Sequence, residues 1–308
     1  MSSQDVHDLC GFEGNPDLYG QGIRAGIYLQ AASVALATLF RQTATLDKIS
    51  YSGGIFQFAL TVSILILTAT SPDFKAVEAA LVVLLGLCSS SQRVALPGAI
   101  IPRRPWTLKR IQFWIGDSGL PIFRYIVEMV LLGYSVWFWF RGLDLLPHSD
   151  TCTTYAFFFA RVDLYGWFRI LSQVYIVIVM ACHLLVVTGL GLWKMLGEKI
   201  LGRDELPGAE ELSAFLEESA LVFGLMRLSL FLFLALSVEF MVRWNSITSV
   251  SSVSNIGQLI ALLVGLGVFV SVALDWDASA SIPTIERFKA VFGRGSREMP
   301  RDRAMVEE

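Results

Sequence analysis

The 308-residue chain is 54% hydrophobic and 17% charged, with a mean hydropathy of +0.59. Soluble domains carry about 25% charged residues, so an ordinary soluble fold is excluded and apolar runs long enough to cross a bilayer take its place. A net charge of -3 excludes a generally basic, nucleic-acid-binding surface.

In chain order, residues 1–20 are polar and acidic, with no basic region before the first apolar run, so that run is expected to be an uncleaved anchor. Cys10–Gln30, CGFEGNPDLYGQGIRAGIYLQ, turns the tail into the first span. Pro16 fixes φ and Gly14, Gly20 and Gly22 permit unusual φ, which predicts a shaped loop. Spans are then expected over Ile23–Phe40, Gly54–Thr70, Phe74–Cys88, Leu120–Phe140, Gly166–Leu192, Ala220–Val242 and Ile256–Ala273. Lys75 and Glu78 crowd the start of the third, and its continuation VALPGAIIP is broken by Pro97 and Pro102, reading as a re-entrant or interfacial piece. RRPWTLKRIQFWIG, before the fourth span, mixes bases with Trp106, Phe113 and Trp114, as a segment lying at headgroup level does. A solvated acidic helix is expected after Pro207.

Seven spans give an all-α, polytopic transmembrane bundle. Lys and Arg number sixteen on the side of the C-terminal tail and six on the side of the N-terminus. The positive-inside rule therefore puts the N-terminus outside and the C-terminus in the cytosol. The expected organisation is an outer loop over 1–22, a membrane bundle over 23–275 and a polar cytosolic tail over 276–308. The bilayer is the expected partner, in the plasma membrane or an endomembrane, with no nucleic acid. Oligomeric state is not legible.

Between the fourth and fifth spans, YSVWFWFRGLDLLPHSDTCTTYAFFFARVDLYGWFR carries aromatic belts at both ends. Cys152 falls on the outer side, as does Cys10. Cys88 and Cys182 fall near the cytosolic end and inside the membrane. An oxidising outer compartment then predicts a Cys10–Cys152 disulfide pinning the N-terminal loop over the bundle; two free cysteines are the plainer alternative. NPDLYGQGIRAGIYLQ, WFWFRGLD, CTTYAFFFARVDLYGWFR and GQLIALLVGLG together resemble a family of multi-pass membrane proteins of filamentous fungi, over Asn15 to about Gly267. The resemblance implies a seven-span architecture and a fungal source, and brings no activity or catalytic residues.

Ionisable residues within spans cost about 2.5–3.5 kcal/mol on insertion scales and usually face a partner. Near the outer mouth lie Arg24, Glu78, Arg169, Glu239 and Arg243, with the amides Gln30 and Gln258. Deeper lie Arg124, Glu128, His183 and Arg227. Arg124–Glu128 and Glu239–Arg243 are i,i+4 and are expected to pair within their helices; Arg24 has Glu78 or Glu239 to choose from. These residues read either as a polar outward-facing pocket or ion path, or as interhelical pairs and snorkelling ends that specify packing. His183, alone on an apolar helix, reads as a hydrogen-bonded core residue. Gly22 and Gly26 have the spacing of close helix packing.

Three histidines cannot build di-iron histidine boxes, and no P-loop, GxSxG, HExxH or DDxxD motif is present. No metal or cofactor is expected. Three function classes remain: movement of a small molecule or ion across the membrane, a seven-span ligand sensor, and a metal-independent membrane enzyme using a buried carboxylic acid such as Glu128 or Glu239. The first asks least of the sequence, and an enzyme is the lesser expectation.

Overall fold

The computed structural model describes residues 11–39, 43–91, 120–148, 152–196, 220–253 and 255–274. Its helices are α1 (Pro16–Tyr19), α2 (Gln21–Leu39), α3 (Thr43–Thr70), α4 (Ala76–Ser91), α5 (Leu120–Trp137), α6 (Leu143–Leu145), α7 (Trp167–Leu196), α8 (Ala220–Trp244) and α9 (Ile256–Leu274). A π-turn, Phe138–Gly142, joins α5 to α6. Among the described residues, short strands β1 (Phe12–Glu13), β2 (Tyr155–Phe157), β3 (Arg161–Asp163) and β4 (Ile247–Thr248) lie in the connections.

Among the described residues, six stretches are long and apolar enough to cross a membrane: Pro16–Leu39, Ser52–Thr70, Tyr125–Leu145, Trp167–Leu185, Gly224–Trp244 and Ile256–Leu274. They coincide with six of the seven expected spans. The remaining one is α4, whose 16 residues reach about 24 Å at 1.5 Å per residue, short of a hydrocarbon core of about 30 Å. It is instead the centre of the bundle. Ala79–Val83 and Leu85 have no exposed surface, because α2, α3, α5 and α8 all pack against it. A helix buried on every side has no need of a polar face. The expected re-entrant, interfacial and acidic segments around Pro97, Trp106 and Pro207 lie outside the described residues.

The helix pair with the most extensive contact is α2 and α9. On α9 the buried residues are Gln258, Ala261, Gly265 and Val272, steps of three, four and seven that form one narrow seam. Gly22 and Gly26 face it so closely that a Cβ on either would collide with backbone atoms of Gln258 or Ala261. Small residues in this spacing let two backbones approach without lipid between them. The rest of α9 is largely exposed and apolar, as a lipid-facing helix is.

The N-terminal loop is a fixed strap, tied at several points. β1 pairs in parallel with β4, Phe12 opposite Ile247 and Glu13 opposite Thr248. Asn15 caps α1 by accepting from the Asp17 amide, Asn255 donates to Asp17, and Lys75 stands over the Phe12 ring at 3.9 Å. Leu18 and Tyr19 are wholly within the core. Gly20 is glycine by necessity, since a Cβ there would lie 2.5 Å from the Gln258 side chain.

β2 and β3 form a hairpin, with Tyr155 opposite Asp163 and Phe157 opposite Arg161. Phe159 turns it with a left-handed φ of 59°. Phe157 stacks on Phe240 at 5.0 Å and also meets Phe233 and Trp244, laying the hairpin along α8. Asn245 fixes its base, accepting from the Tyr155 amide and donating to the Tyr155 carbonyl. Tyr165, just beyond the hairpin, has its phenol pushed up to about 12 by burial and then by Asp144.

Candidate ligand-binding cleft at one end of the bundle

The site grows from the first turn of α2. Arg24 is 5% exposed at its side chain, yet each of its three side-chain nitrogens donates. Nε donates to Glu239 Oε1 at 2.7 Å and Nη2 to Oε2 at 3.4 Å. Nη1 donates to the carbonyls of Tyr19 at 2.6 Å and Val250 at 3.3 Å. The Tyr28 hydroxyl donates to the same Glu239 Oε1 at 3.1 Å. Glu239 is 47% exposed, so the pair has a buried positive end and a wet negative end. The desolvation cost falls mainly on Arg24, and three acceptors offset it.

Glu78 turns elsewhere. It accepts from the Tyr19 hydroxyl at 2.7 Å and from the Lys75 amide at 3.1 Å, capping the start of α4 in the manner of an acid at a helix N-terminus. The strap is thereby joined to both carboxylates: Tyr19 gives its hydroxyl to Glu78 and its carbonyl to Arg24.

Beside the pair opens a cleft of about 550 Å³. One wall is a stripe of α8, Leu236, Glu239, Phe240 and Arg243, at i, i+3, i+4 and i+7. Ser246, Thr248 and Ser251, from the chain that follows α8, and Arg24 of α2 complete the lining. Ser246 and Ser249, flanking β4, take left-handed φ of 48° and 65° and carry the chain around the rim. The sequence's Glu239–Arg243 pairing is not the one formed: Glu239 takes Arg24 across helices. Among the described residues the Arg243 side chain has neither an ion-pair nor a hydrogen-bond partner, while its carbonyl accepts from the Ser246 amide at 3.3 Å.

The other expected pocket residues go to three places. Arg169 donates to both Asp144 oxygens at 2.7 Å and to the carbonyls of Trp139 and Phe140 at 3.2 and 3.1 Å. Those carbonyls belong to the π-turn, which leaves backbone acceptors for a neighbour to satisfy; Gln173 donates to Trp139 as well. Glu128 faces His183 on α7, with Nε2 at 3.0 Å, while His183 Nδ1 contacts the Val179 carbonyl at 2.9 Å. A carbonyl can only accept, so Nδ1 carries hydrogen and Nε2 is the nitrogen that meets the carboxyl group. The Arg124 side chain lies outside the described residues. Gln258 accepts from the Gly22 amide at 3.2 Å within the α2–α9 seam, and Gln30 is fully buried with no partner for its amide among the described residues.

Sequence reasoning passed over Tyr19, Tyr28 and Asp144. Tyrosines at a span's mouth signal an aromatic belt, which hides a hydroxyl aimed inward. Asp144 lies three residues after Arg141 in the short α6, with nothing in the spacing to link it to Arg169. Cys88 and Cys182 are outside any disulfide and Cys152 is not; Cys10 lies outside the described residues. No group of three or more potential metal-ligating side chains occurs among the described residues.

The fold is therefore that of a multi-helix membrane protein with a charged cleft at one end. Neither a family model, a curated protein nor a solved structure matches the chain.

Proposed function

We propose that this is a seven-span membrane protein, N-terminus outside and C-terminus cytosolic, whose outer cleft binds a small molecule and passes its occupancy to the bundle core. In this reading α4, short as it is, is taken as the seventh span of the sequence. The carrying observation is the hydrogen-bonded chain Glu239–Arg24–Tyr19–Glu78, which runs from the wet cleft to the first turn of the most buried helix. A ligand that draws on Glu239 or Arg24 changes the partners of Tyr19, and differential contact of this kind is what shifts a conformational equilibrium. The Cys10–Cys152 bond belongs to this reading. Gly11 packs on Ser246 and the hairpin carrying Cys152 is held by Asn245, so one short segment of chain anchors both cysteines' neighbours.

A second reading, movement of an ion or small molecule, draws on the Glu128–His183 contact between α5 and α7. Acid catalysis draws on less, because Glu128 and Glu239 each have a basic partner.

Two measurements on the full chain separate these readings. In nanodiscs, Glu239→Gln should raise hydrogen exchange at amides 76–83 of α4; unchanged exchange there would refute the coupling. In proteoliposomes with an entrapped pH dye and a potassium diffusion potential, the coupled-receptor reading expects no proton flux above empty liposomes. A flux abolished by Glu128→Gln would establish movement instead.

A further inference from the structure

The cleft's shape and charge point past a generic small molecule. We infer that it takes an amphiphile: an acyl or alkyl chain bearing one anionic headgroup. This rests on the ligand-binding reading above and names the class of ligand.

The α8 stripe supplies the polarity gradient. From Leu236 to Arg243 is seven residues, about 10 Å along the helix axis. Leu236 is exposed on a membrane-length helix, Phe240 is half-buried in the middle, and Arg243 is exposed in the last turn. The stripe thus runs from a surface at hydrocarbon depth up to a charged rim crowned by Ser246, Thr248 and Ser251. A chain laid along Leu236 and Phe240 would deliver its head to Arg243 and the Ser251 hydroxyl.

Charge sets the head. Two guanidiniums and one carboxylate line the cleft, leaving one positive charge in excess. Arg24 is already committed to Glu239 and two carbonyls, so the excess resides on Arg243. Its planar fork suits a carboxylate or a phosphodiester. Glu239, on the same wall, repels a second negative charge, so a monoanion is selected over a dianion such as inorganic phosphate. A volume of about 550 Å³ lies within the usual range for small-ligand pockets, about 300–1,000 Å³, and Leu236, an exposed apolar residue, lines it.

The same chemistry is offered by a free fatty acid and by an anionic phospholipid of the bilayer. The test is binding of a fluorescent dodecanoate to the full chain in neutral detergent, read by displacement. Unlabelled dodecanoate should displace it at least tenfold better than dodecanol or acetate. Arg243→Gln should weaken binding at least tenfold, Arg243→Lys by less, and Arg161→Gln, outside the cleft, not at all. Displacement by phosphatidylglycerol at concentrations where phosphatidylcholine is inert would identify the bilayer as the source; displacement by dodecanoate alone would identify the free acid. Dodecanol matching dodecanoate would overturn the anionic head, and acetate matching it would overturn the chain. Binding insensitive to Arg243→Gln, or no binding, would overturn the assignment to this cleft. The exchange response of α4 to Glu239→Gln is independent of all these results, so failure of the ligand class is distinguishable from failure of the coupled-receptor reading.

Discussion

The α2–α9 seam can be tested with one methyl group. In Gly26→Ala, the new Cβ would lie 2.7 Å from the Ala261 carbonyl carbon and closer still to its oxygen. Ordinary contact between carbons is about 3.5–4.0 Å, and the obstacle is backbone that no rotamer change can move. The helices must part by roughly 1 Å, at an overpacking cost of about 1–3 kcal/mol. One turn away, the Gly22–Gln258 hydrogen bond at 3.2 Å would stretch past useful length, adding about 1 kcal/mol. Alanine's better helix propensity returns about 0.8–1.0 kcal/mol. The net expectation is destabilisation of about 1–3 kcal/mol. Gly257 and Gly267, on the same helix pair, have nothing within 4 Å of an added Cβ, so alanine there should be neutral or stabilising by up to about 1 kcal/mol. Heat unfolding of the detergent-purified full chain, followed by tryptophan fluorescence, orders the variants. A Gly26→Ala midpoint at or above those of Gly257→Ala and Gly267→Ala would refute the close crossing and the register it gives Arg24.

Tyr19→Phe keeps the buried ring but removes the donor to Glu78, leaving a buried carboxylate with one amide; a loss of about 1–3 kcal/mol is expected in the same assay, and wild-type stability would show that Glu78 is not held this way. Arg169→Lys keeps the charge but cannot reproduce a fork shared between Asp144 and two π-turn carbonyls, so it should cost about 1–2 kcal/mol; an unchanged midpoint would remove the π-turn from the stabilising set. Peptide mapping without reductant should recover Cys10 linked to Cys152, and an alkylated Cys10 would refute the bond.

The candidate site was partly legible in the chain. Buried charge is conspicuous in an apolar background, so Arg24, Glu78, Glu128, Glu239 and Arg243 were singled out on composition and depth alone. Their partners were not, because i,i+4 spacing describes what a helix could do in isolation. Glu239 lies one turn from Arg243, but Tyr28 and Arg24 reach its other side, and Arg243 is left facing the cleft. Arg24 had two carboxylates at comparable depth. Tyr19, a residue with no charge to draw attention, takes Glu78 and leaves Glu239.

What the sequence determined is set by local chemistry: the length of each apolar run, the asymmetry of Lys and Arg, and the glycine spacing at Gly22 and Gly26. Each follows from the solvent a segment must meet, and six of the long helices lie where the runs put them. What only the tertiary structure decided is set by rotation about helix axes. The glycine seam fixes how α2 is turned against α9, and through it which way Arg24 points. Packing on all sides made α4, the shortest of the apolar helices, the core of the bundle. The same packing made Cys10–Gln30 what it is from Gly11 onward. The loop is a strap locked into the core at Leu18 and Tyr19, because burial of two large side chains outweighs the freedom its glycines would otherwise allow.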